Sequence, residues 1–400
     1  MSHPPLHWGW GLGAACAVAL SAFGSMVSTS GLAEAIRRDL ALTYAQAGFL
    51  LSAPFPLVAL SAFMGGSLVD RLGVGRMVSL GAALVLAGGG GRAWAGGFWG
   101  LAAGTALVGM GTGLIYPALP KIVSACVPPA RQPLASSLYA ASVIAGGGLA
   151  IGLSLFMAPL ARWLPFPPGA EGWRGAYFGW ALGVLAAGGW WLSAAGRLPR
   201  IGEKGEGMGG GSALYRSPAV WAVALSLFVN NVIFFTSLGW FPAILAGKGW
   251  TPSQAAGIVS LIPWLGVAAV FAAHPAAAGL GGERRAVALS SLLTALAIAP
   301  IGWGGAWLAA AGVALVGLAV NFWFLFCLAF PARFRPREQA GRAGGFIIGL
   351  GYTGGFVGPW AAGALKDWAG GFGPALCAMA ALALAAALAA PFFGREEPGG

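Results

Sequence analysis

Residues Gly65 to Val78 read Gly-Gly-Ser-Leu-Val-Asp-Arg-Leu-Gly-Val-Gly-Arg-Met-Val, which sets Asp70, Arg71 and Arg76 among glycines. On either side lie long apolar runs with almost no charge. Of the 400 residues, 58% are hydrophobic and 8% charged, against about 25% charged residues in a soluble domain. A chain of this length cannot cover a water-facing surface with so few charges. A helix that crosses a bilayer needs about 20 mostly apolar residues, and such runs recur along the whole chain. The sequence therefore predicts an all-α membrane protein, in which residues 65–78 hold the turn between two spans.

Spans are expected near 8–35, 43–68, 77–95, 98–124, 135–159, 176–196, 218–246, 253–273, 286–302, 305–330, 340–364 and 372–393, twelve transmembrane helices in all. Gly and Pro within them are no objection, because membrane helices tolerate both. The longest polar stretch, 197–217, is rich in Gly, Lys and Glu and reads as a flexible linker. It separates a six-helix bundle at 1–196 from a second at 218–400. If the N-terminus is cytoplasmic, the outer side holds only Arg37, Arg38, Arg92, Arg162, Arg174, Lys248 and Lys366 of the 22 Lys and Arg. An excess of cations in short loops marks the cytoplasmic side, so both termini are expected there, in a plasma (inner) membrane. Trp163, Trp173, Trp250, Trp303 and Trp368 fall near outer boundaries, where interfacial anchors belong. The net charge of +11 is dispersed over loops, without the basic face and aromatic platform of a nucleic-acid module. Cys16, Cys126, Cys327 and Cys377 stand singly and show no metal or disulfide spacing. The start of the chain lacks the basic region of a cleaved signal peptide.

The two bundles repeat one another. Thr43, Gln46, Ala47 and Ser52 map onto Thr251, Gln254, Ala255 and Ser260 at one constant offset, and Arg76 meets Arg284 at that same offset. Tyr139 and Tyr352 form a looser echo. Parallel repeats of six helices are a known transporter construction. With that frame, Gly66, Asp70, Arg71, Gly73 and Arg76 resemble the loop signature of the major facilitator superfamily, between spans two and three. "GMGTGLIYP" in span four and "GYTGGFVGPWAAG" in span eleven resemble its glycine-rich helices. "GWFPAIL" and "GWTPSQAAG", together with "GLGYTGGFVGP", look most like the cyanate and nitroimidazole transporter branch. The chain departs from that branch early in span one, where Phe23 and serines stand in place of an Arg.

The resemblance implies two pseudo-symmetric six-helix bundles that move a small solute by alternating access, as a secondary active or facilitative transporter. It implies no enzyme, cofactor or metal, and a monomer in the lipid bilayer with a small-molecule substrate. Two alternatives stay open: a small inorganic or organic anion of the cyanate or nitrate kind as substrate, and a non-transporting membrane sensor of the same fold. By the same resemblance Asp70 latches the first half to span eleven, supported by Arg71 and Arg131. Otherwise these charges only orient the loop.

No Asp or Glu falls in the middle of a span, where proton relays lie. Glu34 is the nearest, and reads either as an interfacial residue or as a coupling site. Span four has Thr105 where many proton-coupled relatives carry Arg, and span five lacks the Gly-Pro pair of the drug-antiporter signature. Neutral polar groups are then left to meet the solute: Ser25 and Thr29 in span one, Tyr116, Tyr139 and Tyr352 in spans four, five and eleven, Asn230, Asn231 and Thr236 in span seven, and Asn321 in span ten. Serines in spans also bond their own helix backbone, whereas an amide pair is costlier to bury alone. Lys121 and Arg92, both near span ends, either snorkel to the headgroups or offer cationic contacts to an anion. "GLGYTG" at 349–354 is a literal GxGxxG inside an apolar helix with no preceding strand, which excludes a dinucleotide reading.

Overall fold

The structure is a computed structural model that describes residues 8–61, 72–166, 172–196, 217–280, 282–330 and 337–390, without the side chains of 274, 277, 278, 283, 329 and 337–342. The chain divides into two compact units, Met1–Gly207 and Met208–Gly400. The first contains α1 (Trp8–Asp39), α2 (Tyr44–Ser61), α3 (Val74–Ala93), α4 (Phe98–Cys126), α5 (Pro129–Trp163) and α6 (Trp173–Ala195). The second contains α7 (Pro218–Ala246), α8 (Pro252–Gly279), α9 (Glu283–Trp303), α10 (Ala306–Ala329), α11 (Arg337–Ala369) and α12 (Gly373–Ala389). Among the described residues, α1 to α10 are long and apolar enough to cross a membrane. The other two expected spans are also helices: α11, of 33 residues and rich in glycine, and α12, of 17.

The residues that echo between the halves have a physical job. Thr43 Oγ1 accepts from the Gln46 amide while Gln46 Oε1 accepts from the Thr43 amide, at 3.1 and 3.0 Å. Thr251 and Gln254 make the same reciprocal pair, at 3.4 and 3.1 Å. Each is a capping box that satisfies amides left free at a helix start, so α2 and α8 begin by the same device. The helices that follow, α3 and α9, are each entered through a glycine of positive φ: Gly73 at +78° and Gly282 at +108°.

Proline interrupts the first unit twice. The helix of α2 breaks at Ala53–Pro54, and that of α4 at Tyr116–Pro117. The break in α2 packs on α4, because a Cβ at Gly109 would strike the Pro54 backbone. In the second unit α11 lies directly on α7. Cβ atoms at Gly351 and Gly358 would come within 2.5 Å of Leu227 Cγ and 2.6 Å of Val232 O, and one at Gly354 would run into the Phe228 carbonyl. The glycine-rich stretch of span eleven is thus a packing surface.

The ends of α3 and α9 are closed by cations from neighbouring helices. Arg174 Nη1, at the start of α6, donates to the carbonyls of Ala93 and Ala95 at 3.0 and 2.8 Å. Lys248 Nζ, just after α7, donates to those of Gly302 and Gly304 at 3.0 and 2.7 Å. A positive charge at a helix C-terminus meets both its free carbonyls and its dipole. Trp173 corrects the sequence expectation. Unlike Trp163, Trp303 and Trp368, which are exposed, it is buried, with Nε1 donating to Asp39 Oδ2 at 2.9 Å. The ring packs in a cluster with Leu32, Leu101 and Tyr177, and the half-buried Asp39 carboxylate at the end of α1 satisfies its N–H.

Candidate functional site

The polar interior of the first unit centres on Arg92. Although it lies in the last turn of α3, its side chain is fully buried, at 0% exposure. The expectation of a peripheral cation is corrected: α3 packs beside α1, and the long side chain turns inward to it. Nη2 donates to Ser25 O and Oγ at 2.8 and 2.9 Å, and Nη1 to Thr29 Oγ1 at 3.3 Å. The guanidinium stacks on the Tyr177 ring of α6, 4.2 Å from its centre. Tyr177 Oη and Thr29 Oγ1 share a hydrogen bond of 3.0 Å. Ser25 and Thr29, expected as solute contacts, are therefore bonded to a cation. Tyr177 completes the cluster and was not singled out by the sequence reading. Its only signal there is a phenol within an apolar span.

Glu34 belongs to a separate group nearer the end of α1. It pairs with Arg37 at 2.9 Å and Arg38 at 2.7 Å. Both pairs are about one helical turn apart, the spacing at which side chains on one helix meet.

Among the described residues, the polar side chains buried in the second unit are neutral. On α7, Asn230, Asn231, Thr236 and Ser237 are all buried. Asn230 Nδ2 donates to Val320 O of α10 at 2.8 Å, but among the described residues its Oδ1 meets no partner, and neither do Asn231 Nδ2, Thr236 Oγ1 and Ser237 Oγ. Asn321 is different. Its Nδ2 donates to Ile262 O at 2.9 Å and Gly317 O at 2.7 Å, which ties α10 to α8. Tyr352 is half-buried, its ring 6.4 Å from that of Phe235. Trp323 Nε1 donates to Ser226 Oγ at 2.8 Å, and Trp240 Nε1 to Pro359 O at 2.8 Å, so both indoles belong to the packing.

A profile of the Major Facilitator Superfamily matches residues 14–278, more than half of the chain. The chain belongs to this superfamily. An uncharacterized transporter of Bacillus subtilis (strain 168), YycB, is 26% identical over 350 residues, 86% of this chain and 83% of the relative. The 2-nitroimidazole transporter of Escherichia coli (strain K12) is 28% identical over 58% of this chain and 56% of its own length. The cyanate transport protein CynX of the same organism is 23% identical over 66% of each. Among solved structures, a D-xylose-proton symporter matches with a TM-score of 0.80 at 16% identity, over 96% of this chain and 97% of that one. That likeness is one of fold. The chain is thus a multi-pass membrane transporter, and the branch it resembles by sequence appears among its relatives.

Of the loop signature of this superfamily, Gly66, Asp70 and Arg71 lie outside the described residues. Gly73 opens α3, and Arg76 is exposed in its first turn. Arg131 is exposed, with its guanidinium 5.3 Å over the Trp8 ring at the start of α1. Tyr139 is half-buried against a small apolar cluster that includes Leu12 and Val123, near Trp8 and Cys16. Tyr116 sits half-buried at the break in α4, and Lys121 half-buried in the helical stretch beyond it. The hydrogen bonds of Arg92 go to Ser25 and Thr29, whereas Tyr139 packs in the cluster of Leu12 and Val123, so the sequence-derived candidates fall into separate groups.

Proposed function

We propose that this transporter moves a small polar solute across the inner membrane, as a monomer with both termini cytoplasmic, and that α7 supplies polar contacts to the solute. The observation that carries this is a set of buried atoms on one helix that have no partner among the described residues: Asn230 Oδ1, Asn231 Nδ2, Thr236 Oγ1 and Ser237 Oγ. Buried polar atoms ordinarily have partners, and their cost inside a membrane makes an unpaired set a mark of function. An amide offers donors and acceptors together and so orients a polar group of either sense. Two relatives are named for 2-nitroimidazole and for cyanate, both small polar solutes, and this supports the size class.

The test is uptake into proteoliposomes that contain the purified chain, with a panel of radiolabelled small solutes. At least one solute should enter faster than into empty vesicles. Asn231→Ala should lower that uptake roughly tenfold or more, the loss expected when a buried hydrogen bond to substrate goes unmade. No uptake of any panel member would favour the sensor reading. Full uptake by Asn231→Ala would remove the α7 amides from the path.

A further inference from the structure

The Arg92 cluster holds more donors than it uses. The guanidinium is wholly buried, and its bonds go to a carbonyl and two hydroxyl oxygens. Among the described residues Arg92 meets no carboxylate, since the ion pairs there are those of Glu34 with Arg37 and Arg38. Among the described residues its Nε–H has no acceptor. Ser25 Oγ and Thr29 Oγ1 accept from Arg92, which leaves their protons to be donated elsewhere. One proton of the Thr29–Tyr177 pair serves their mutual bond, and the other remains. A full positive charge thus sits inside the bundle with surplus N–H and O–H groups converging on it and only neutral acceptors to hold it.

A charge placed in that way is expensive, and an apolar side chain of the same size would fill the space without the cost. We infer that the missing charge is supplied by the solute: the Arg92–Ser25–Thr29–Tyr177 cluster is a binding site for a small monovalent anion, and that anion is the transported substrate. This rests on the transporter reading above and names its substrate class. An anion here would accept from Nε–H, from the Ser25 hydroxyl and from the phenol or hydroxyl that the Thr29–Tyr177 bond releases. Charge-assisted bonds of this kind are the stronger ones. The packing around the cluster is close. A Cβ at Gly89 would lie 3.0 Å from Ser25 Oγ, and one at Gly104 would lie 2.7 Å from Arg92 Cγ, so only small rearrangements are open to the site.

The experiment uses the full chain, purified in detergent and reconstituted. Binding of sodium cyanate, nitrate and formate is measured calorimetrically at constant ionic strength against sodium gluconate, and flux of the same anions is followed in proteoliposomes. At least one anion should both bind and cross. Arg92→Gln should weaken binding by roughly tenfold or more and stop flux. Tyr177→Phe keeps the charge and the ring, and should weaken binding by a smaller factor; it serves if Arg92→Gln does not fold. Unaltered anion binding by folded Arg92→Gln would overturn the site. Anion binding without anion flux would overturn the substrate assignment. Uptake of a neutral solute with no anion binding would overturn the anion class while leaving the transporter reading intact. Absence of flux for every solute would instead strike that reading.

Discussion

The two units share a fold and a set of helix-starting devices, yet fill their polar interiors with different chemistry. In the first, a buried guanidinium gathers a serine, a threonine and a tyrosine from two neighbouring helices. In the second, amides and hydroxyls on α7 lie buried without charge and with several atoms unpaired. The repeat therefore conserves what a helix bundle needs in order to form, such as the boxes at Thr43 and Thr251. It does not conserve what the interior presents.

The largest stability effect should come from the first unit. Ser25→Ala removes one acceptor of a buried guanidinium, and hydrogen bonds to charged groups contribute about 1.5–3 kcal/mol each. Arg92→Met should cost less than Ser25→Ala. It removes the charge itself, and replacing a buried ion by an apolar side chain of similar volume is often neutral or stabilising. The freed hydroxyls of Ser25 and Thr29 then turn to their own helix backbone. Thermal unfolding of the purified variants checks the order. If Arg92→Met unfolds at a lower temperature than Ser25→Ala, the guanidinium is a structural strut, and the contrast between the halves is one of packing alone.

Much of the fold was legible because membrane insertion imposes a strict length and polarity on each helix. Ten of the expected spans meet that rule among the described residues, and the repeat at Thr43 and Thr251 shows in the letters alone. The site was less legible, because sequence says where a residue lies along a helix and not which neighbour it faces. Arg92 near the end of a span looks interfacial, but its side chain runs back into the bundle, where Ser25 and Thr29 lie on α1. Trp173 was misplaced for the same reason, since the Asp39 that holds it belongs to another helix. Tyr177 had no near neighbour in sequence to mark it. The capping partners, Thr43 with Gln46 and Thr251 with Gln254, are by contrast local in the chain, so their echo between the halves shows in the letters.

Those local pairs offer a comparison of intermediate size. Thr43→Ala and Thr251→Ala each delete the side-chain acceptor of a capping box, and N-cap losses of this kind cost about 1 kcal/mol. The two should be equal within the scatter of the measurement, because both boxes are exposed and have the same reciprocal geometry. Denaturant or thermal unfolding of each variant in the same detergent decides it. A cost at one site and none at the other would show that the echo between the halves is formal rather than energetic.

The smallest effect on stability should come from the second unit, and it carries the most information about function. Asn231→Leu exchanges a buried amide, whose Nδ2 has no partner, for an apolar side chain of similar size. The amide's desolvation cost disappears with it, so the change should be within about 1 kcal/mol of neutral and of either sign. Asn321→Leu at the same burial should cost more, because Asn321 Nδ2 bonds the Ile262 and Gly317 carbonyls and ties two helices together. An amide that adds nothing to stability, beside one that does, is retained for something outside the fold. If Asn231→Leu instead lowers the unfolding temperature as far as Asn321→Leu, the α7 amides are structural, and the polar interior of the second unit is no longer a solute surface.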